Sequence, residues 1–262
     1  MTKLGILKIF RTILRPRRIA CLLCDALWLV FPTMAQEGVW SVRASGGISV
    51  LSFRSVDEEG RRDIAAFNRL GYPIADYPPL RSAPSVEANL RYRFDRDTDV
   101  SLFFSYMRAT TATMLNDSAR FLSLDRKLTS TDFGIDFSYY FPPLVYDAEL
   151  SAFLGLGRMT GHADQTTKET RVVKSADSTI TEIVQDAFAG HTKSKLYVRI
   201  GVQGTILIVG PVHFAATVVY KYAPIGKLDG ILREFSVIRP YTTSIEFNYS
   251  TLDVKAGVEV RL

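Results

Sequence analysis

The feature that most constrains this chain is an alternation of apolar and polar residues with a period of two, repeated eight times after residue 38. That period marks a β-strand whose two faces meet unlike surroundings. In Val86-Glu-Ala-Asn-Leu-Arg-Tyr-Arg-Phe94, Val86, Ala88, Leu90, Tyr92 and Phe94 share one face, and Glu87, Asn89, Arg91 and Arg93 share the other. Phe133–Phe141 and Leu252–Leu262 repeat the pattern, as do segments near 39–53, 98–108, 147–159, 194–209 and 212–223. The eight apolar stripes hold 43 positions and no charge, where a chain 23% charged would place about ten. The opposite stripes carry Arg43, Arg91, Arg93, Lys195, Arg199, Lys221, Lys255 and Arg261, and Glu87, Asp99, Asp132, Asp136, Glu149, Asp253 and Glu259.

A soluble antiparallel sheet also alternates, with its apolar face inward. Two features favour the inverse, an apolar face turned outward to lipid. Short turns at Asp95–Thr98, Pro142–Tyr146 and Gly210–Pro211 alternate with long connections near 54–82, 109–130, 160–193 and 224–250, so all long loops leave at one end. Aromatic residues also collect at both ends of the charge-free stripes: Trp40, Phe94, Phe141 and Phe214 at the short-turn end, Tyr106, Phe133 and Tyr222 at the other. Arg108 and Arg158 break the stripe only at the long-loop end, where a long side chain reaches an interface. In hydrocarbon only a closed barrel pairs every backbone group of a β-structure. The expected fold is therefore all-β: an eight-stranded antiparallel up-and-down transmembrane barrel over 36–262, preceded by a signal peptide over 1–35.

The leader is read from its order of segments. Residues 1–20 are basic, 19–31 mostly apolar, and Pro32-Thr33-Met34-Ala35 offers small residues before Gln36. Six of the 32 basic residues and one of the 27 acidic residues lie in 1–35, which leaves 26 of each beyond it. The net charge of +5 thus belongs to the leader and implies no nucleic-acid-binding face. Both cysteines, Cys21 and Cys24, lie there too, which excludes a disulfide framework, a Cys-ligated zinc site and a catalytic thiol from the body.

Signal peptide, eight alternating strands, termini at the short-turn end and a final amphipathic strand make the chain similar to OmpA/OmpX-type small outer-membrane barrels. The resemblance covers 37–262 as organisation rather than motif. It implies a bacterial outer-membrane location, contact with outer-membrane lipid and lipopolysaccharide, and delivery by periplasmic chaperones and the barrel-assembly machinery. The family's last strand usually ends in an aromatic residue; this one ends in Leu262.

Eight strands enclose a space that side chains just fill. The expected interior is a polar network of Arg43, Glu87, Arg91, Asp136, Glu149, Arg199, Lys221, Asp253, Lys255 and Glu259, joined by Asn89, Tyr140, Tyr197 and Gln203, with no open channel. Inward glycines such as Gly47, Gly155 and Gly201 either relieve crowding or leave a narrow cavity. In the first long loop, Asp57 as N-cap, Ile64, Phe67 and Leu70 on one face and Gly71 as stop predict a short helix, either a lid or solvated. The third loop, rich in Thr, Ser, Lys and Asp, reads as flexible.

No motif carries catalytic, cofactor or metal chemistry. The leading reading is a non-enzymatic outer-membrane protein serving envelope structure, surface binding through its loops, or sideways passage of a small apolar solute. One alternative is a lipid-modifying hydrolase or acyltransferase using His162 with Asp164, or His191 with Ser194. A soluble lipocalin-like barrel that binds a small hydrophobic ligand is the other.

Overall fold

A computed structural model describes residues 38–51, 80–116, 120–142, 148–175, 178–234, 237–242 and 246–262, with Glu58, Arg61, Ala65, Asn68 and Arg69. Eight strands form one closed antiparallel ring: β1 (Val39–Leu51), β2 (Ser82–Arg93), β3 (Thr98–Asn116), β4 (Arg120–Tyr140), β5 (Ala148–Ser175), β6 (Ser178–Val209), β7 (Val212–Tyr222) and β12 (Thr251–Arg261). Each pairs with its neighbours in sequence, and β1 closes on β12 from Ser41↔Arg261 to Leu51↔Thr251. The connection from β7 to β12 carries four short strands, β8 (Pro224–Gly226), β9 (Asp229–Glu234), β10 (Val237–Thr242) and β11 (Phe247–Asn248). The β9–β10 hairpin adds to the far part of β6, and β8 pairs β11.

The apolar stripes point outward. Phe137 is 66% exposed and Leu196 77%, whereas Arg199 is 1% exposed and Asp253 fully buried. Leu90, Val198 and Val258 face out beside Arg91, Asp136 and Glu259, which face in and are buried. A continuous apolar surface of this extent is stable only against hydrocarbon, which rules out the lipocalin-like arrangement. At the short-turn end Tyr92 lies between Trp40 and Phe94, with ring centroids 4.8 and 5.1 Å away, and is buried by them on the outer face.

The turns at that end have local causes. Asp95 Oδ1 accepts the N–H groups of Asp97 and Thr98, both at 2.8 Å, which folds the chain back between β2 and β3 and holds the carboxyl below its usual range. Gly210, at φ +54°, occupies the left-handed region that the β6–β7 turn requires.

Strand length departs from expectation. Residues 109–116, 120–130, 160–175 and 178–193 are strand rather than loop: β3 and β4 pair without a break from Thr98↔Tyr139 to Asn116↔Phe121, and β5 and β6 pair up to Ser175↔Ser178. Crossing a membrane takes about 9–11 residues, whereas β5 has 28 and β6 has 32. The excess forms a sheet standing beyond the stripe. In water a strand needs no charge-free face, so Thr-rich and charged sequence keeps the extended form through backbone pairing and the β-preference of Thr and Val. In the first long loop, Glu58, Arg61, Ala65, Asn68 and Arg69 are helical and exposed, while Asp57, Ile64, Phe67, Leu70 and Gly71 lie outside the described residues. The leader, 1–35, also lies outside them.

Leu154, mid-stripe and 60% exposed, tests the orientation. Leu154→Arg is expected to cost roughly 2–4 kcal/mol of folded-barrel stability, read by urea titration in lipid vesicles.

Candidate functional site

The interior is built in two tiers, because every second residue of each strand points into it. The lower tier, toward the short turns, is charged. Glu149 of β5 receives Arg93 at 3.0 Å and pairs with Arg261 of the last strand. Above it, Arg91 meets Asp99 at 3.1 Å and Glu259 at 3.2 Å. Tyr140 accepts a hydrogen bond from Arg91 at 2.9 Å and donates to Asp99 at 2.6 Å. Gln203 accepts from Arg91 at 2.6 Å and from Arg43.

Next comes the buried centre. Arg199 donates to Glu87 at 3.0 Å and, through Nε, to Asp136 at 2.7 Å, with its guanidinium 3.4 Å above the Phe103 ring. Glu87 also holds Lys255 at 2.7 Å and Arg43 at 3.6 Å, and accepts from Asn89 at 3.0 Å. Asp253 bridges Lys255 and Lys221, both at 3.1 Å, and Lys221 reaches Asp132 at 2.6 Å and Ser105 at 3.0 Å.

Arg43, Glu87, Arg91, Asp136, Glu149, Arg199, Lys221, Asp253, Lys255 and Glu259 thus lie in one connected chain of ion pairs and hydrogen bonds with Asp99, Asp132, Arg93 and Arg261. Seven cations face seven anions in it. Lys195 does not join them. It sits exposed at the long-loop rim and donates to the Pro224 carbonyl at 2.7 Å. Inward glycines make room for the pairs: a Cβ at Gly155 would stand 2.0 Å from Asp136 Oδ1 and 3.1 Å from Arg199 Cγ. They relieve crowding.

The upper tier is apolar, which the alternation alone did not foretell. Phe103, Met107, Leu128, Met159 and Tyr197 of the wall pack with Ala223, Ile225, Leu228, Phe247 and Tyr249 of the β7–β12 connection. The described residues of that connection fold into the mouth and pack against the wall. Tyr249 N–H donates to the Ala223 carbonyl at 3.0 Å, its hydroxyl donates to the His162 carbonyl at 2.8 Å, and its ring stacks on Phe247 at 6.3 Å. Ile225 and Tyr249 rest on Gly161, where a Cβ would stand 2.9 and 2.8 Å from them. The signal was present as Ala223/Ile225 and Phe247/Tyr249, apolar at every second position inside a long loop.

The histidines do not converge. On the β5–β6 ladder His162 pairs with Thr192 and Ala163 with His191, so His162 falls on the outward face and His191 on the inward one. His191 and Ser194 lie on opposite faces too. Among the described residues no cluster of His, Cys, Asp and Glu could hold a metal ion. An open cup of about 760 Å³ at the short-turn end is lined by Val39, Arg93, Arg96, Asp97, Tyr140 and Glu149 and ends on the charged tier.

No protein-family model and no curated protein matches the sequence. Among solved structures, a major outer membrane protein from Thermus thermophilus is similar at TM-score 0.52 and 8% identity, covering 87% of this chain and all of that one. Neisserial surface protein A (NspA) matches at TM-score 0.40 and 13% identity, over 87% of this chain and all of that one. Ail from Yersinia pestis matches at 0.37 and 14%, with the same coverage. The fold is that of a small outer-membrane β-barrel.

Arg199→Met strands Asp136 and removes a main partner of Glu87. It is expected to cost about 3–5 kcal/mol in vesicle urea titrations, and Arg199→Met/Asp136→Met is expected to restore at least half of the loss.

Proposed function

We propose that this protein is a non-enzymatic barrel of the bacterial outer membrane, closed to solutes, that carries a tall β-sheet above the surface for binding. One observation carries the reading: the strands that cross the lipid continue as paired strands well beyond it. From Leu196 to Ser178, β6 runs about 60 Å farther at roughly 3.3 Å per residue, paired with β5 on one side and, over Ala187–Thr192, with β9 on the other. Loops concentrate function when a rigid scaffold holds them, and this sheet is such a scaffold.

Closure supports a structural and binding role over transport. Charges fill the lower tier and the β7–β12 connection fills the upper one. Export by the leader and insertion by the barrel-assembly machinery belong to this reading. Leu262, exposed, follows the last strand and donates its N–H to the Trp40 carbonyl at 2.8 Å.

A second reading, sideways passage of a small apolar solute, has one observation in its favour. β6 pairs with β7 up to Val198↔Tyr222 and with β9 from Thr192↔Asp229. Between them Lys193–Tyr197 face the mouth-filling segment, tied to it by Lys193 to the Lys227 carbonyl and Lys195 to the Pro224 carbonyl, both at 2.7 Å. This gap adjoins the apolar upper tier.

The protein refolded in detergent should migrate differently in gels before and after boiling. In planar bilayers it should show no steady conductance of porin size. Steady, porin-sized channels from purified monomer would overturn the closed reading. Faster entry of an apolar dye into vesicles carrying Lys193→Met/Lys195→Met would favour the second.

A further inference from the structure

Over Ala187–Ile206, β6 is paired on both sides with one interruption. Its pairing with β7 stops at Val198↔Tyr222, and pairing with β9 begins at Thr192↔Asp229. Five residues of β6, Lys193–Tyr197, and six of the other line, Ala223–Leu228, lie between those two rungs. β7 and β9 thus follow one line along β6, broken where β8 turns into the mouth. Among the described residues no strand pairs with Lys193–Tyr197 on that side. β8 keeps its other neighbour. Asn248↔Pro224 holds the register of Thr251↔Lys221, and Tyr249 N–H donates to the Ala223 carbonyl at 3.0 Å. β8 and β11 are therefore the β7–β12 ladder prolonged and tilted off β6.

The tilted segment is patterned for the wall it has left. Ala223 and Ile225 are buried and continue the inward positions Thr217, Val219 and Lys221. Leu228 is buried two positions before Gly230, the partner of inward His191. Exposed Lys227 stands between these two alternations. It is the one residue by which six exceed five, a surplus that a β-bulge absorbs. β6 meanwhile crosses the notch with side chains in place of backbone. Lys195 Nζ donates to the Pro224 carbonyl and Lys193 Nζ to the Lys227 carbonyl, both at 2.7 Å. Two ammonium groups thus hold main-chain acceptors of the segment that turned away. An unpaired strand edge is a template for a further strand, and the segment of matching length and pattern is already beside it.

Resting on the reading that the chain is a membrane-crossing barrel, we propose that Ala223–Leu228 is a strand switch with two seats. In the mouth seat, which the structure holds, Ile225, Leu228, Phe247 and Tyr249 pack on the upper tier and the edge of β6 stands open. In the wall seat β8 carries β11 with it and pairs with Lys193–Tyr197 through a bulge at Lys227. β7, β8 and β9 then run as one strand, and the same apolar side chains line the barrel rather than fill it. The seats exchange apolar burial for main-chain hydrogen bonds. The consequence is an exclusion. The side gap is open only while the segment fills the mouth, and the segment leaves the mouth only by completing the wall. A solute on the sideways route meets one opening at a time, so the segment is the gate of that route.

Two features support the mouth seat alone and can be removed without altering β6 or β8. A Cβ at Gly161 would stand 2.8 Å from Tyr249 Cε2 and 2.9 Å from Ile225 Cδ1, and the Tyr249 hydroxyl donates to the His162 carbonyl at 2.8 Å. The full chain is folded into phosphatidylcholine vesicles, and backbone hydrogen exchange is read by mass spectrometry. Gly161→Ala/Tyr249→Phe should slow exchange over Lys193–Tyr197 at least tenfold against wild type, because those amides gain partners. Arg96→Gln at the short-turn end should leave it unchanged. Unchanged or faster exchange in the double variant means that the segment loosens without pairing, and overturns the proposal. Should the double variant lack the heat-dependent gel shift, Tyr249→Phe alone decides on the same sign. Loss of that shift in wild type overturns the barrel reading and the switch together, while a retained shift without slowing overturns the switch alone.

Discussion

Everything in this structure depends on giving each membrane-crossing strand one face for hydrocarbon and the other for a filled interior. Outside, no charge interrupts the stripe below Arg158. Inside, the matched cations and anions share a space too narrow for bulk water. Neither half is stable without the other. An isolated buried charge costs several kcal/mol, so the network persists only because nearly every member has a partner of opposite sign. Those partners come from strands far apart in sequence: Arg199 of β6 reaches Glu87 of β2 and Asp136 of β4. The interior therefore selects one closed ring, in which these side chains meet, over any partly opened sheet.

The two tiers solve different problems. Low in the barrel, among the described residues, only the side chains of the strands themselves fill the lumen. Charged pairs fill it with defined directions. High in the barrel a long connection is available, and Ile225, Leu228, Phe247 and Tyr249 supply apolar volume that no wall residue could provide. The boundary runs through Phe103 and Tyr197, whose rings lie 6.5 Å apart. Phe103 receives the Arg199 guanidinium from below and packs in the apolar cluster above. A guanidinium pairs in its plane and stacks on its face, which lets one arginine join a charged layer to an apolar one.

Sequence alone conveyed much of this and missed the rest for reasons that follow from solvent. Hydrocarbon on one side and a filled lumen on the other impose period two, so all eight strands and their orientation were legible. Beyond the lipid that pressure vanishes. Thr110, Thr111 and Thr113, or Thr166, Thr167 and Thr170, are equally at home in a loop and in a strand wet on one face. Only long-range pairing decides, and pairing leaves no local mark. The histidines were legible and overlooked: the outward stripes of β5 and β6 run on even numbers, which sends His162 out and His191 in. Tyr92 shows the reverse limit, since its parity is right but its neighbours bury it.

The wall is also unequal around its circumference, and the inequality has a physical consequence. On β1, β2, β7 and β12 the outward face contains Ala44, Gly46, Ala88, Ala216 and Ala256, each in contact through the strand register with another small residue or lying one step from it. On β3 to β6 the same height carries Phe104, Phe133, Phe137, Leu154 and Leu156. The bulky wall lies beneath the tall sheet and the smooth wall beneath the short strands β1, β2, β7 and β12. A sheet whose longest strand runs roughly 60 Å along its own path past the apolar stripe is a lever on its own base. Large side chains interdigitate with acyl chains over more area than alanines do, so the wall that supports the lever is also the one with the firmer hold on the bilayer.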